Sequence, residues 1–211
     1  MTRVALDARS WKIAVGPEGD ESLSVREAVA VEIDMAKTAL IVIDAWERHP
    51  VGGHNARLAR NLANLLALLA LFRGAGRPIL HDPTGLPMHP AVLEGWSAHD
   101  RLIEWDPMGG GTQLAGDLLK AQGIESIFWG GYDANLCVMA KPLGFRKMRA
   151  LDWDRYVFLV RDATIAFESS QTLASEALWD AACYEVEYDP KGFTCTVADL
   201  ARAFASALAP A

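Results

Sequence analysis

Cysteine is scarce in this chain. There are three, Cys137, Cys183 and Cys195, an odd number with no C-x-x-C pair among them. That excludes a disulfide framework or a cysteine-built zinc site as the organising device and fits a reducing, cytoplasmic setting. An excess of basic residues is also lacking: 20 Lys and Arg stand against 27 Asp and Glu, a formal net charge of −7. The two signs are interspersed, so no basic stripe can neutralise phosphates, and no nucleic acid partner is expected. Long apolar runs are missing too. The longest, "LANLLALLALF", has 11 residues, against the roughly 20 needed to cross a bilayer. The opening "MTRVALDARSWKIAV" has no apolar segment behind a basic one, so neither a membrane anchor nor a secretory leader is expected. No repeat and no low-complexity segment stands out beyond the Ala-rich tail "ARAFASALAPA".

What is present is an ordinary globular composition, 51% hydrophobic and 22% charged over 211 residues, enough for one domain with a modest extension. Short runs of Ile, Val, Leu and Phe mark strands at "TALIVIDA", "RPILHD", "ESIFWGG", "YVFLVRDA" and, more weakly, "YEVEY". Helical spacing lies between them: 54 to about 73, closed by "RGAG"; 112 to 122, behind Thr112 as N-cap and stopped by Gly123; then about 137–149, 169–183 and 196–208. This alternation predicts a three-layer α/β/α sandwich on a mainly parallel sheet, because each parallel crossover needs a covering helix. Residues 1–35 stand outside it. "RVALDARSWKIAV" and "AVAVEIDM", on either side of the loop "GPEGDESLSVRE", read as an amino-terminal β-ribbon extension suited to oligomer contacts, with the main domain over 36–211.

In open parallel sheets ligands bind beyond the carboxyl ends of the strands. Three such ends are polar: Asp44, the pair His81-Asp82, and "GGYDANLC" with Cys137. If a helix starts near residue 137, its dipole and free N–H groups favour a thiolate at Cys137, and the same amides can receive an oxyanion. Asp44 then suits the proton transfers that a thiol hydrolase needs. Trp46, Trp105 and Tyr132 stand near these positions and can wall a pocket, while Trp96 and Trp129 suit either the pocket region or the core. His81, Asp82, His89 and His99 have side chains suited to zinc, iron or manganese. The favoured reading is a polar, substrate-facing loop, with no metal or cofactor. Cys183 and Cys195 read as structural. Thr164 and Glu168 follow a strand within reach of the site edge, and Glu168 and Ser169 equally suit a helix start.

These motifs resemble those of the isochorismatase-like hydrolases, the superfamily of nicotinamidases and N-carbamoyl amide hydrolases. "TALIVIDAWERHP" is similar to the family's first-strand motif, "GTQL" to its T-x-L helix, "GGYDANLCVMA" to its G-x-x-T-x-x-C-V elbow and "VFLVRDATIAFE" to the following strand, over about residues 38 to 187. The resemblance implies Asp44 as acid/base, Cys137 as nucleophile, a cis peptide at Tyr132-Asp133 and an oxyanion hole from the Asp133 and Cys137 amides. Asn135 in the elbow joins Trp46, His81, Trp105 and Tyr132 as substrate-binding candidates. The family's isochorismatase-type members act on a vinyl ether and lack the cysteine, so Cys137 points to a C–N bond of a small molecule, cleaved through a thioester. Family habit also points to a homo-oligomer.

One element of the family pattern is missing. The lysine expected nine residues before Thr112 is absent, and the neighbourhood offers Glu104 and Trp105. Glu104 beside Asp44 and Cys137 would set like charges together and raise one carboxyl pKa, suiting either a protonated acid or a chain that has lost the chemistry. Lys141, at i+4 from Cys137, would share its face on a regular helix and restore the positive charge. The alternative to an enzyme is a catalytically weak binding or scaffold homologue.

Overall fold

The structure of the chain, a computed structural model, describes residues 3–83, 85–103, 110–151 and 154–209. It begins with the ribbon, β1 (Arg3–Lys12) against β2 (Val25–Asp34), in antiparallel register from Arg3 opposite Asp34 to Lys12 opposite Val25. The wound part follows: β3 (Thr38–Ile43), α1 (Gly52–Gly74), β4 (Ile79–Asp82), α2 (Pro90–Glu94), β5 (Asp100–Leu102), α3 (Gly110–Ala121) and β6 (Ser126–Gly131). It ends with α4 (Cys137–Ala140), α5 (Phe145–Arg149), β7 (Tyr156–Thr164), α6 (Ala177–Glu187), β8 (Gly192–Cys195) and α7 (Val197–Leu208).

All eight strands form one sheet in the order β2-β1-β8-β7-β6-β3-β4-β5. Pairing is parallel from β8 through to β5 and antiparallel only at the ribbon. The central strands are apolar on both sides because helices cover both faces. Leu40 and Val42 of β3, Phe128 of β6 and Phe158 and Val160 of β7 pack towards α1 and α7. Their alternating neighbours Ala39, Ile41, Ile43, Ile127, Trp129, Val157 and Leu159 pack towards α3, α4, α5 and α6. The three-layer sandwich with a mainly parallel sheet is therefore as expected.

Four local expectations differ. "YEVEY" is the end of α6: Ala182, Cys183, Val186 and Glu187 are buried while Tyr184 and Tyr188 face outwards, a helical and not an alternating pattern. The helix expected over 169–183 starts only at Ala177. Thr112 is interior to α3, and its hydroxyl donates to the Pro142 carbonyl at 2.7 Å. The helix expected over 137–149 is broken into α4 and α5, because Pro142 drives the preceding residue out of the helical region: Lys141 has φ −63° and ψ 169°. The short β5, β8 and α2 carry too little pattern to be seen in sequence.

The ribbon is docked by charge as well as by packing. Leu6 and Ile33 enter the α1-side core. The carboxylate of Glu187, with 0% of its side chain exposed, lies 3.0 Å from Arg9, 2.6 Å from Arg26 and 2.5 Å from the Thr194 hydroxyl, which donates to it. Removing one member of such a buried set leaves its partners desolvated and unpaired. Glu187→Gln is expected to lower stability by about 3 kcal/mol, read from urea unfolding. A loss below about 0.5 kcal/mol would assign the docking to the apolar contacts alone.

Candidate active site

Three strand ends converge on one point. At the end of β3, Asp44 adopts φ 50°, a left-handed conformation that aspartate tolerates better than branched residues do. Its N–H donates to the Asp82 carbonyl of β4 at 3.3 Å. At the end of β6, Gly131 has φ 104°, and a Cβ there would lie 1.9 Å from the Ile43 carbonyl oxygen. Only glycine lets β6 approach β3 so closely, and the Tyr132 N–H then donates to that same oxygen at 2.7 Å. The Tyr132–Asp133 peptide is cis, as the resemblance implies. The elbow continues through Ala134, whose N–H donates to the Ile165 carbonyl at 2.7 Å, to Cys137, the first residue of α4.

The broken helix delivers the positive charge. Lys141, extended ahead of Pro142, keeps its N–H on the Cys137 carbonyl at 3.1 Å and sends its side chain inwards. Its Nζ donates to Asp44 Oδ1 and, at 3.1 Å, to the Asp82 carbonyl, and lies 3.9 Å from Asp82 Oδ1. Asp82 Oδ2 accepts the Leu143 N–H at 3.1 Å. The segment is anchored from behind, where the Thr112 hydroxyl donates to the Pro142 carbonyl and the Trp129 indole N–H donates to the Leu143 carbonyl at 2.8 Å. Asp44, Cys137 and Lys141 are thus together. Glu104 and Trp105 lie outside the described residues.

The electrostatics correct one expectation. Burial pushes the Cys137 thiol up to about 12, the Asp44 charge and its hydrogen bond with the thiol add to this, and Lys141 and the Asp133 N–H pull the other way. A four-residue helix has too little dipole to reverse that balance, so these effects favour the thiol over the expected thiolate. The site therefore holds a thiol beside a carboxylate that is itself held by an ammonium. Burial also raises the Asp82 carboxyl, an effect that Lys141 and the Leu143 N–H oppose and Asp44 assists. Among the described residues, neither the Asp133 nor the Cys137 N–H has a backbone acceptor, and the Asp133 N–H faces the sulfur. Both amides are thus available to an oxyanion.

The substrate-binding candidates divide. Trp46 is 6% exposed, and its ring centroid lies 5.1 Å from that of His49 beside Asp44. His81 does not face the site. Successive strand residues point to opposite faces, so Asp82 meets Lys141 while His81 is buried against Asp100 at 2.8 Å and stacks on Trp96 at 4.7 Å. Burial lowers the His81 pKa, with Asp100 opposing. Tyr132 is 1% exposed and belongs to the α1-side core, so it is packing and not pocket wall. Asn135 has both ends of its amide on the Phe167 backbone, at 3.2 and 2.9 Å, and ties the elbow to the segment after β7. Glu168 accepts from the Leu178 and Trp179 N–H groups, and Thr164 donates to the Arg161 carbonyl, so neither side chain is directed at the thiol. Cys183 and Cys195 are buried in the two cores. His89 caps α2 through the Ala91 N–H, and among the described residues no three metal-binding side chains cluster.

Sequence reading missed an aromatic and histidine cluster at the elbow. His49 packs 4.9 Å from His54 and 5.6 Å from Phe167, and His54 lies 5.2 Å from Phe167. His54 Nδ1 faces Arg57 at 2.8 Å, which sets its proton on Nε2, 2.7 Å from the Asp133 carboxylate. The available signal was positional, since these histidines lie between the end of β3 and the first turn of α1, where a doubly wound sheet builds its site.

The chain has the isochorismatase-like fold. A cysteine hydrolase from Pseudomonas syringae pv. phaseolicola 1448A matches it with a TM-score of 0.63 at 16% identity, over 83% of this chain and 95% of that one. The nicotinamidase PncA of Bacillus subtilis matches at 0.57 and 11% identity, over 75% of this chain and 99% of that one. An N-carbamoylsarcosine amidase from Thermoplasma acidophilum matches at 0.50 and 19% identity, over 72% and 92%. By sequence, no family model and no curated protein matches.

Two substitutions separate the charges around the sulfur. Asp44→Asn is expected to speed iodoacetamide alkylation of Cys137 at neutral pH and Lys141→Met to slow it, by about threefold for each unit of thiol pKa moved. Wild-type alkylation, followed by mass spectrometry, is expected to climb beyond pH 10. A plateau below pH 8, or shifts of the same sign in both variants, would contradict the resting state described.

Proposed function

We propose that this protein is a cysteine hydrolase that cleaves a C–N bond of amide, carbamoyl or ureido type in a small molecule. The observation that carries the reading is the line Cys137–Asp44–Lys141, in which a half-buried thiol hydrogen-bonds a buried carboxylate already bound by an ammonium. Fold relatives named as a nicotinamidase and an N-carbamoylsarcosine amidase support the bond type.

In this reading the Cys137 proton passes to Asp44 as sulfur attacks the substrate carbonyl carbon, so the high thiol pKa is bypassed by a local transfer. The Asp133 and Cys137 N–H groups receive the oxyanion. Protonated Asp44 gives its proton to the departing nitrogen, leaving a thioester at Cys137. Asp44 then takes a proton from water, the hydroxide equivalent attacks the thioester carbonyl, and the carboxylic or carbamic acid leaves as the proton returns to sulfur. Lys141 holds Asp44 in place and favours its charged form at the start and end of each half-reaction. Trp46 and His49 are the proposed wall for the substrate. A homo-oligomer in the cytoplasm is the proposed setting.

Ammonia release and intact-mass adducts over a panel of nicotinamide, N-carbamoyl and ureido compounds test the proposal. Turnover of at least one compound is expected, with a thioester adduct at Cys137. Cys137→Ala should remove activity, and Asp44→Asn or Lys141→Met should lower kcat by about a hundredfold or more. Turnover that survives Cys137→Ala, or a panel with neither turnover nor adduct, would favour a binding or scaffold role.

A further inference from the structure

A second concavity of about 230 Å³ opens between the amino-terminal half of α1, the carboxyl end of β7 and the approach to α6. None of Asp44, Cys137 or Lys141 lines it. Arg57, Arg60 and Arg161 do, from three directions. Among the described residues no carboxylate lies within 4.0 Å of their guanidinium groups. The acidic residues on the same wall are engaged elsewhere. Glu168 accepts the Leu178 and Trp179 N–H groups at 3.1 and 2.8 Å, Asp162 Oδ1 accepts the Val197 N–H at 2.9 Å, and Glu176 stands exposed at the rim.

Arg161 donates to the Thr194 carbonyl and hydroxyl at 3.2 and 3.1 Å, and Arg60 is exposed on α1. Among the described residues, three guanidinium groups without a carboxylate partner thus surround one cavity. Arg57 donates to His54 Nδ1 and to the Ala166 carbonyl at 3.2 Å, yet its Nε is buried without a partner, and so is the Oδ1 of Asn61 beside it. Three guanidinium groups facing one cavity suit an anionic ligand. The volume falls below the roughly 300 Å³ at which sites for drug-sized ligands begin, so the ligand is small. Guanidinium forks match planar or tetrahedral oxyanions bidentately.

We propose that this cavity is a second ligand site that binds a small oxyanion, a phosphate or a dicarboxylate, separately from the catalytic thiol. Arg57 joins the two sites: the guanidinium that lines the cavity also orients His54, which faces Asp133 in the elbow.

Calorimetric titration of the full chain with inorganic phosphate and, separately, with malonate, at constant ionic strength set by chloride, tests the proposal. One saturable site is expected for at least one of the two, and which one responds tells the phosphate source from the carboxylate source. Arg60→Gln, on an exposed helix position, and Arg57→Gln are each expected to weaken binding about tenfold or more. Unchanged unfolding midpoints would show that these variants fold, and Arg60→Gln alone suffices if Arg57→Gln does not. Binding is expected to persist after Cys137 has been alkylated. Absence of a saturable site with both anions, unchanged affinity in Arg60→Gln, or loss of binding on alkylation would overturn the proposal. None of these readouts depends on hydrolytic turnover.

Discussion

The ion pair between Lys141 and Asp44 is the interaction on which the site depends. Both side chains are out of solvent, and a charge so placed is tolerated only when its partner and its remaining hydrogen bonds are supplied. The fold supplies them from separate places. Asp44 comes from the end of β3, the second acceptor for Lys141 from the β4 backbone at Asp82, and the lysine from the turn after Cys137. The α3 hydroxyl of Thr112 and the indole of Trp129 then fix the backbone on which the lysine rides. Several features that look unrelated in sequence, including Gly131, Pro142 and Thr112, thus serve one electrostatic arrangement.

That arrangement makes the sulfur a proton donor at rest. Burial and the facing carboxylate outweigh the lysine and the Asp133 amide, so the protonated form of the sulfur is favoured. What the geometry offers is coupling: the group that raises the thiol's pKa is also the group placed to take its proton. In the proposed reaction such a sulfur would be quiet towards solvent and activated only by a substrate carbonyl against the elbow amides.

Much of this was legible in the residues. Strand ends rich in polar groups marked Asp44, Asp82 and the elbow, because a parallel sheet covered on both faces leaves little else at its carboxyl edge. Lys141 was found by its four-residue distance from Cys137, although the regular helix assumed for it does not exist; the proline that breaks the helix is what turns the lysine inwards. His81 was placed at the site when strand alternation already sets it opposite Asp82. Nearness in sequence suggests Tyr132 and Asn135 as substrate contacts, whereas one is core and the other ties two loops together. His49, His54 and Arg57 lie close together at the entry to α1, but Phe167 comes from the segment after β7, and no periodicity announces a cluster that only tertiary packing assembles.

The short span from Cys137 to Lys141 has a consequence for reading other chains. Where the cation follows its sulfur by a single turn, one contiguous stretch, cysteine, three small or apolar residues, lysine and proline, carries two of the three groups of the proposed site. The remaining carboxylate needs only a β-strand ending beside it. A polypeptide that lacks a lysine in the stretch ahead of the threonine helix should therefore be inspected downstream of the thiol before it is set aside as inert.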